Sequence, residues 1–540
     1  MIRVLVVVAC LWSFASSAQT APTKYWIQFT DKSNSPYSLQ APEAFLSQEA
    51  LIRRAKNGYP ITTEDLPVNE DYIAAVTALG NVQVMHTSRW FNAISAKIVD
   101  DGVVAAIEQL PFVLQVKKVP VYQQPAMPEY ALRSTVLGQD TSAYGYGLQQ
   151  IVQLNGLFLH GAGFTGSGMK IGVMDAGFKR VPVLPVFDQL YAENRLHEVH
   201  DFVDWDNTVT DHHYHGMYVL STMAGNLADS LIGTAPGADY YLFRTEDGET
   251  EYVLEEDNWV AAIEEADRMG IWVVNTSLGY STFDDPSQDH TYADMDGRTT
   301  RIAIASTMAA RRGMLLVTSA GNLGSSPWRY ISTPGDADSV LTVGAVNTDG
   351  IHAPFSSFGP TADGRIKPNV CALGQGAWFA APDSTIRRGN GTSFASPILC
   401  GLAACLWQAH PEATNMDILR AIEKSASLYN QPNDSLGYGI PDFFVAHRLL
   451  QEQTGVLESS VILYPNPSSG VFHFEADVQI SRIVVFDLRG RELGDVSCVY
   501  TQNDYSAGIF DLREAGLSAG QYLVRFEGEG YIRTVRANLQ

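Results

Sequence analysis

The pattern of apolar positions in the middle of the chain predicts a sheet of parallel strands. Five short runs rich in β-branched residues are apolar on both faces, as strands covered on both sides of a sheet are. These runs are 170–174, 240–243, 271–274, 315–318 and 340–343. Segments 259–269 and 301–312 have the length of helices, and each is followed by glycine, which commonly ends a helix. This alternation predicts an α/β domain with helices on both faces of a parallel sheet.

Two smaller units flank this central region. Between residues 24 and 122, strand-like runs at 25–29, 91–98 and 113–119 surround a helical segment that ends at Pro111, which predicts a small α+β unit. The apolar face of that helix consists of Val103, Ile107 and Leu110. After residue 450, a turn cluster at 464–470 is followed by alternating runs that predict a β-sandwich. Those runs are 471–474, 483–486 and 521–526.

The N-terminus has the pattern of an export signal. Residues 4–14 are apolar, and Ala15-Ser16-Ser17-Ala18 places small residues where a signal peptidase cleaves. This run is too short to span a membrane, and no later run reaches the ~20 residues that a membrane helix needs, so no integral span is expected. Cys10 lies in the signal, and the other four cysteines lack a paired spacing, so no disulfide framework is expected.

These patterns divide the chain into five parts. They are a signal peptide at 1–18, the α+β unit at 19–138, the α/β domain at 139–451, a polar linker at 452–460 and the β-sandwich at 461–540. The Gln-, Pro-, Tyr- and Gly-rich stretch 123–147 is predicted to be an exposed connector, and the junction of the first two folded units falls between about Tyr122 and Tyr146.

The composition narrows the classes of function. A hydrophobic content of 46% in 540 residues is enough to fill several cores. Lys and Arg number 36 against 59 Asp and Glu, and the net charge of −23 repels phosphate backbones and anionic lipids. Nucleic-acid binding is therefore not expected.

Four separate motifs carry candidate chemistry. Asp175 follows the strand 170–174, at the edge of an open sheet where functional groups collect. His215 and Ser393 each stand at the start of a helical stretch, and Asn322 follows the strand 315–318. Each has an ordinary alternative: Ser393 as a helix N-cap, and the histidine cluster 212–215 as a metal site or a solvated loop. A serine becomes a nucleophile when an imidazole takes its proton and a carboxylate orients that imidazole, while a carboxamide can bind an oxyanion.

Together these motifs resemble those of the subtilisin-like (subtilase) serine proteases. The resemblance covers roughly residues 146–450, and the order Asp, His, Asn, Ser is that of the family. The Gly-Thr-Ser-x-Ala-Ser-Pro segment is the most specific part. The matching segments are Asp175-Ala176-Gly177, His215-Gly216, Ser277-Leu278-Gly279, Ala320-Gly321-Asn322 and Gly391 to Pro397.

The resemblance implies a subtilisin-like α/β fold and a role for each of these residues. Ser393 would be the nucleophile, His215 the general base and then acid, Asp175 its orienting carboxylate, and Asn322 the side-chain donor to the oxyanion. Substrate would bind as an added strand, so its main chain would be recognised. The implied substrate-binding residues are Ser277, Leu278, Gly279, Ala320 and Gly321.

The chain departs from the family pattern beside these motifs. Met217 and Tyr218 stand where the family usually has threonine and histidine, Ala176 replaces Ser or Thr, and Cys371 to Gly374 replaces a Met-Ala-Pro-Gly pattern. These departures bear on fine geometry and rate. His212 and His213 compete with His215 as the base, but His215 precedes the glycine that the family pattern requires.

The flanking units also resemble known domains. The N-terminal unit resembles the inhibitory prodomain of Bacteroidetes-type members, through Phe45-Leu46-Ser47 and residues 50–54. The last 80 residues resemble the C-terminal sorting domain of type IX secretion substrates, with a generic β-sandwich module as the alternative. Its matching segments are 464–467 with Gly470, 485–487 with Gly490, and 517–522. Together they imply a protein that is secreted, or attached to the cell surface after outer-membrane export.

The sequence therefore predicts a secreted serine endopeptidase (EC 3.4.21.-) made as an autoinhibited precursor. Its expected partners are protein or peptide substrates, its own prodomain and the type IX machinery. No cofactor is expected for the chemistry and no metal ligand is assigned, although a structural calcium ion is compatible with the family and the acidic surplus. The alternative is a catalytically inactive surface-binding or adhesive protein.

Two other hydrolase classes fit the sequence poorly. An esterase of the α/β-hydrolase class would need a Gly-x-Ser-x-Gly motif and a different order of partners. A zinc hydrolase built on His212, His213 and His215 would need a motif such as HExxH, and the sequence around them has none.

Overall fold

A computed structural model describes eight stretches of the chain. They are residues 23–119, 144–248, 250–454, 461–464, 466–476, 478–500, 506–528 and 531–540. The predicted signal peptide at 1–18 and nearly all of the predicted connector at 123–147 lie outside these stretches.

The N-terminal unit is an antiparallel four-stranded sheet with helices. Its elements are β1 (Thr23–Phe29), α1 (Gln48–Lys56), α2 (Glu70–Thr77), β2 (Val82–Ser88), β3 (Ala93–Ile98), α3 (Asp101–Glu108) and β4 (Val113–Val119). The strand order is β2-β3-β1-β4, so β1 lies inside the sheet, and its buried residues Tyr25, Ile27 and Phe29 point into the core of this unit. The α+β prediction agrees with this unit. The run 91–98 begins as a turn, because Asn92 has a φ of 50° and β3 starts only at Ala93.

The central region is built on a parallel seven-stranded sheet. Its strands are β5 (Lys170–Asp175), β6 (Leu196–Asp201), β9 (Asp239–Arg244), β10 (Val273–Thr276), β11 (Leu315–Ser319), β12 (Leu341–Val346) and β13 (Val370–Leu373), in the order β13-β12-β11-β10-β5-β9-β6. Two small hairpins accompany it, formed by β7 (Asn226–Leu227) with β8 (Leu231–Ile232) and by β14 (Gln375–Ala380) with β15 (Ile386–Asn390).

Helices cover both faces of this sheet. They are α4 (Leu148–Val152), α5 (Leu157–Gly161), α6 (Asp188–Ala192), α7 (His215–Ala224), α8 (Leu254–Met269), α9 (Arg301–Arg311), α10 (Thr392–Ala409), α11 (Asn415–Lys424) and α12 (Phe443–Thr454). Helices α7 and α10 belong to the main core on one face, and α8 and α9 to a second core on the other. This confirms the predicted fold class.

One buried helix passes through the middle of the main core. Among the described residues, Thr392–Ala409 is the helix that is long and apolar enough to cross a membrane, and 89% of that segment is buried inside this domain. Its apolar surface is therefore covered by protein.

The C-terminal region forms two antiparallel four-stranded sheets around one core. Its strands are β16 (Val461–Tyr464), β17 (Val471–Ala476), β18 (Ile480–Phe486), β19 (Glu492–Asp495), β20 (Cys498–Tyr500), β21 (Ser506–Asp511), β22 (Gly520–Gly528) and β23 (Tyr531–Leu539). The orders are β16-β17-β21-β20 and β19-β18-β22-β23. Side chains from both sheets, including Phe472 and Phe526, share the core, as expected for a sandwich.

Candidate active site

Asp175 and His215 meet at the carboxyl edge of the sheet. Strand β5 is buried along its length and ends at Asp175, which is fully buried, while His215 is the first residue of α7. The His215 Nδ1 and Asp175 Oδ1 atoms are 2.8 Å apart. This close approach depends on glycine, since a Cβ at Gly216 would lie 2.6 Å from the carbonyl oxygen of Gly177.

The electrostatics of this pair favour a protonated imidazole. Burial opposes the charged ring of His215, but the negative charge of Asp175 and the hydrogen bond between them outweigh burial, so the pKa of His215 is raised. Because the carboxylate accepts from Nδ1–H, the neutral ring carries its in-plane lone pair on Nε2. That tautomer can accept a proton at Nε2.

The two neighbouring histidines are placed differently. His212 Nε2 lies 3.1 Å from Asp211 and 3.5 Å from both Asp201 and Asp204. The Nδ1 atom of His213 accepts from the backbone N–H of His215 at 3.2 Å, and burial lowers the pKa of His213. Of the three histidines, His215 is the one paired with Asp175.

Ser393 lies at the start of α10 and faces the chain that follows β10. The N-cap of α10 is Gly391, so the N-cap interpretation of Ser393 is wrong, and the serine occupies the second helical position. Its hydroxyl donates to the carbonyl oxygen of Ser277 across a long 3.4 Å, and the hydroxyl of Ser277 donates back to the carbonyl of Ser393 at 3.1 Å. A bond of 3.4 Å is weak, so the hydroxyl can turn toward another acceptor.

Asn322 is held with its carboxamide oriented. Its Oδ1 accepts from both the backbone N–H of Thr392 at 2.9 Å and the hydroxyl of Thr392 at 3.0 Å. The same hydroxyl accepts from the N–H of Gly321 at 3.2 Å. Because Oδ1 is occupied by donors, Nδ2 is the end of the amide that is left to donate, next to the start of α10.

The five predicted substrate-binding residues fall into two groups. Ser277, Leu278 and Gly279 extend the chain beyond β10, and Gly279 is exposed. Ala320 is fully buried, and its N–H donates to the carbonyl of Val343 at 3.0 Å, so it supports the site from behind. Gly321 has a φ of +99°, which favours glycine and allows the turn into Asn322.

Asn275, a buried residue outside the sequence motifs, connects these segments. Asn275 is fully buried in β10, and its Nδ2 donates to the hydroxyl of Ser277 at 3.0 Å. Its Oδ1 accepts from the hydroxyl of Ser396 in α10 at 2.8 Å. Asn275 therefore fixes the strand that carries Ser277 relative to the helix that carries Ser393.

The positions that depart from the family pattern lie beside the site. Met217 is fully buried in the main core, and the ring of Tyr218 packs 4.9 Å from that of Phe379. The N–H of Ala176 donates to Asp175 Oδ1 at 2.8 Å, a contact that its side chain does not affect. Burial raises the pKa of the Cys371 thiol to about 12, so this cysteine is unreactive.

An acidic loop also approaches the pair, and sequence reasoning missed it. Burial and the negative charge of Asp175 raise the pKa of Glu246 to about 8. The backbone N–H of Thr245, one residue earlier, donates to the carbonyl of Asp175 at 3.0 Å. Glu246 therefore lies in the same electrostatic environment as His215.

Three family models match separate parts of the chain. A model described as the subtilase family matches residues 166–439, and one for the Bacteroidota peptidase S8 propeptide domain matches residues 24–130. A model of a secretion system C-terminal sorting domain matches residues 462–537.

Individual relatives match the central region. Subtilisin BL of Lederbergia lenta is 28% identical over 275 residues, which cover 51% of this chain and 89% of that protein. Subtilisin E of Bacillus subtilis (strain 168) is 30% identical over 288 residues, covering 52% of this chain and 66% of that protein. Among solved structures, the MycP3 protease from the type VII (ESX-3) secretion system aligns with a TM-score of 0.46 at 22% identity, over 60% of this chain and 94% of that one.

Proposed function

Because the chain belongs to the subtilase family, whose members it resembles are serine proteases, we propose that Asp175, His215 and Ser393 form its catalytic triad. The chain is a subtilisin-like protease with an N-terminal propeptide and a C-terminal sorting domain, which directs export across the outer membrane to secretion or surface attachment. One observation carries the assignment of the triad: the 2.8 Å hydrogen bond from His215 to Asp175, at the sheet edge where the helix of Ser393 begins.

The reaction follows from the placement of these groups. In the first half, the Nε2 atom of His215 takes the proton of Ser393 as Oγ attacks the substrate carbonyl, and Asp175 stabilises the imidazolium. The proton then passes from His215 to the leaving amine, which departs and leaves an acyl group on Ser393. The same imidazole then takes a proton from a water molecule that attacks the acyl group, and it passes this proton to Ser393 Oγ as the acid product leaves.

The oxyanion of each tetrahedral intermediate needs donors that are already oriented. Asn322 supplies Nδ2, since Thr392 occupies the other end of its amide. The N–H of Ser393, in the first turn of α10, supplies the second donor. Substrate main chain pairs with Ser277, Leu278 and Gly279 as an added strand.

The propeptide contacts explain how the precursor is kept inactive. Val119, the last residue of β4, packs against Tyr252 and Leu254, beside the loop that approaches Asp175. The chain that leaves the propeptide therefore starts next to the cleft. We propose that residues 19–138 are the inhibitory segment and that it occupies the cleft until cleavage between about 122 and 146.

Covalent labelling by a fluorophosphonate tests the triad. The processed protein is expected to be labelled, and Ser393→Ala is expected to abolish labelling. His215→Ala is expected to slow it strongly, because the serine then lacks its base. Ser287→Ala, which changes an exposed serine away from the triad, is the matched control and is expected to label normally. Labelling that persists in Ser393→Ala, or its absence from the processed parent, would refute the assignment.

A further inference from the structure

Three glutamates converge where the loop after β9 joins the first turn of α8. One carboxylate oxygen from each of Glu246, Glu251 and Glu255 lies within 4.8 Å of the others. Glu255 is 3% exposed and rigidly held, since its oxygens accept from the backbone N–H groups of Asp247 at 2.7 Å and Tyr252 at 3.2 Å. The loop thus brings three oxygen ligands to one point.

Within the described stretches, none of these three carboxylates forms a salt bridge with a lysine, arginine or histidine. The negative charge of Glu255 acts on Lys24 of the propeptide without forming an ion pair, and burial lowers the pKa of Lys24 to about 8. Burial, and then the charges of their neighbours, raise the pKa values of Glu251 and Glu255 well above the usual range. A bound cation would take the place of the protons and stabilise the ionised carboxylates.

A buried hydroxyl next to the cluster points to the same conclusion. Tyr280 is fully buried, and its hydroxyl has no hydrogen-bond partner among the residues that the structure describes. After burial, the charges that most raise the pKa of Tyr280 are those of Glu246, Glu255 and Glu251, so the phenol lies in the electrostatic environment of this cluster. A buried polar atom without a partner is costly, and a cation with its ordered water would satisfy it.

We propose that Glu246, Glu251 and Glu255 bind a divalent cation, with the hydroxyl of Tyr280 bonded to a ligand water. Carboxylate oxygens are hard ligands, and three of them close to one point suit Ca²⁺. The other such cluster among the described residues, Asp201 and Asp204 with His212, differs because Arg244 already donates to both carboxylates, at 2.7 and 2.6 Å.

The test measures binding in a protein that cannot cleave itself. The full chain with Ser393→Ala is stripped with a chelator and titrated with CaCl₂ in a calorimeter. In this background, Glu246→Gln with Glu251→Gln is expected to weaken one binding event by about tenfold or more, because fewer charged ligands lower Ca²⁺ affinity. The control, Glu193→Gln with Asp383→Asn, removes two exposed carboxylates elsewhere and is expected to bind like the parent.

Thermal unfolding provides the second readout and excludes misfolding. Without Ca²⁺, the loop variant is expected to melt at or above the temperature of the parent, because the substitutions relieve repulsion. With Ca²⁺, the parent and the control are expected to gain stability, and the loop variant to gain less. Equal Ca²⁺ binding by the loop variant and the parent would overturn the proposal, as would the absence of binding in the parent. Because Ser393→Ala is inactive, neither result depends on the triad.

Discussion

Asp267→Asn is expected to weaken the binding of the propeptide to the protease domain. Asp267 is fully buried in α8 and accepts from three propeptide guanidinium groups, those of Arg53, Arg54 and Arg89. Burial opposes the charge of Asp267, but these guanidinium groups outweigh burial and hold its pKa well below the usual range. Asparagine keeps the shape of the side chain and removes the charge that the three cations share.

The expected loss of propeptide affinity depends on the partners that the arginines retain. In the variant, Arg54 still pairs with Asp65 at 2.9 Å, and Arg53 still donates to the backbone carbonyl groups of Arg312 and Ile271. The substitution therefore removes part of the ion-pair network. Removing one partner of a buried pair costs about 3–5 kcal/mol, because a buried charge is left uncompensated. At 1.4 kcal/mol per factor of ten, this corresponds to roughly two to three and a half orders of magnitude in the affinity of the cleaved propeptide.

The assay follows the activity that escapes inhibition after processing. The processed complex is diluted into a fluorogenic peptide substrate, and the concentration at which half of the activity is released is measured. The variant is expected to release its activity at concentrations about two to three and a half orders of magnitude above those for the parent. The control is Glu265→Gln on the same helix, whose pair with Arg268 is partly exposed and worth about 0–1 kcal/mol. Equal release by Asp267→Asn and Glu265→Gln, with both proteins folded by circular dichroism, would refute the reasoning.

Two further predictions concern the chemistry. Asn322→Ala is expected to lower kcat by about 10²–10³ with little change in KM, a magnitude taken over from the corresponding asparagine of subtilisin rather than worked from this structure, and steady-state kinetics would measure it. A loss confined to KM would contradict the oxyanion role. The pH profile is the second: His215 acts as a base when neutral and its pKa is raised, so kcat/KM is expected to fall as pH decreases through a value above the ordinary ~6.5. Asp175→Asn is expected to move this acidic limb of the kcat/KM profile to lower pH and to lower kcat about 10⁴-fold. A limb at the same pH as in the parent would contradict the pairing of Asp175 with His215.

The sequence predicted the elements with a strong local pattern. The structure has strands at the predicted runs 170–174, 240–243, 315–318 and 340–343. These runs could be recognised because buried parallel strands are apolar on both faces. The run 271–274 was displaced, and β10 begins at Val273, because the N–H of Ile271 still bonds to the carbonyl of Ala266 at the end of α8. Strand β6 was not predicted, since it is an edge strand with the polar sequence Leu-His-Glu-Val-His-Asp.

Only the site residues that belong to sequence motifs could be predicted. Local signals lead to Asp175, His215, Asn322 and Ser393, and the structure brings Asp175 to His215 and Asn322 to the helix of Ser393. Asn275 has no such signal in the sequence. Its role in a buried strand becomes clear only from its hydrogen bond to Ser396 in α10. The acidic cluster was hidden for a similar reason: acidic residues between two elements usually face solvent, and only the fold brings these three glutamates to one point.

The propeptide interface shows how one contact surface can serve both binding and release. Buried ion pairs add little net stability compared with apolar contacts of the same size, because desolvation offsets their attraction. Their effect is to fix one arrangement, since any other leaves Arg53, Arg54 or Asp267 buried without a partner. While the chain is intact, this surface binds intramolecularly, at a high effective concentration that keeps the end of β4 beside the cleft. Cleavage of the connection removes that advantage, so the same contacts that position the inhibitor in the precursor allow dilution to release it afterwards.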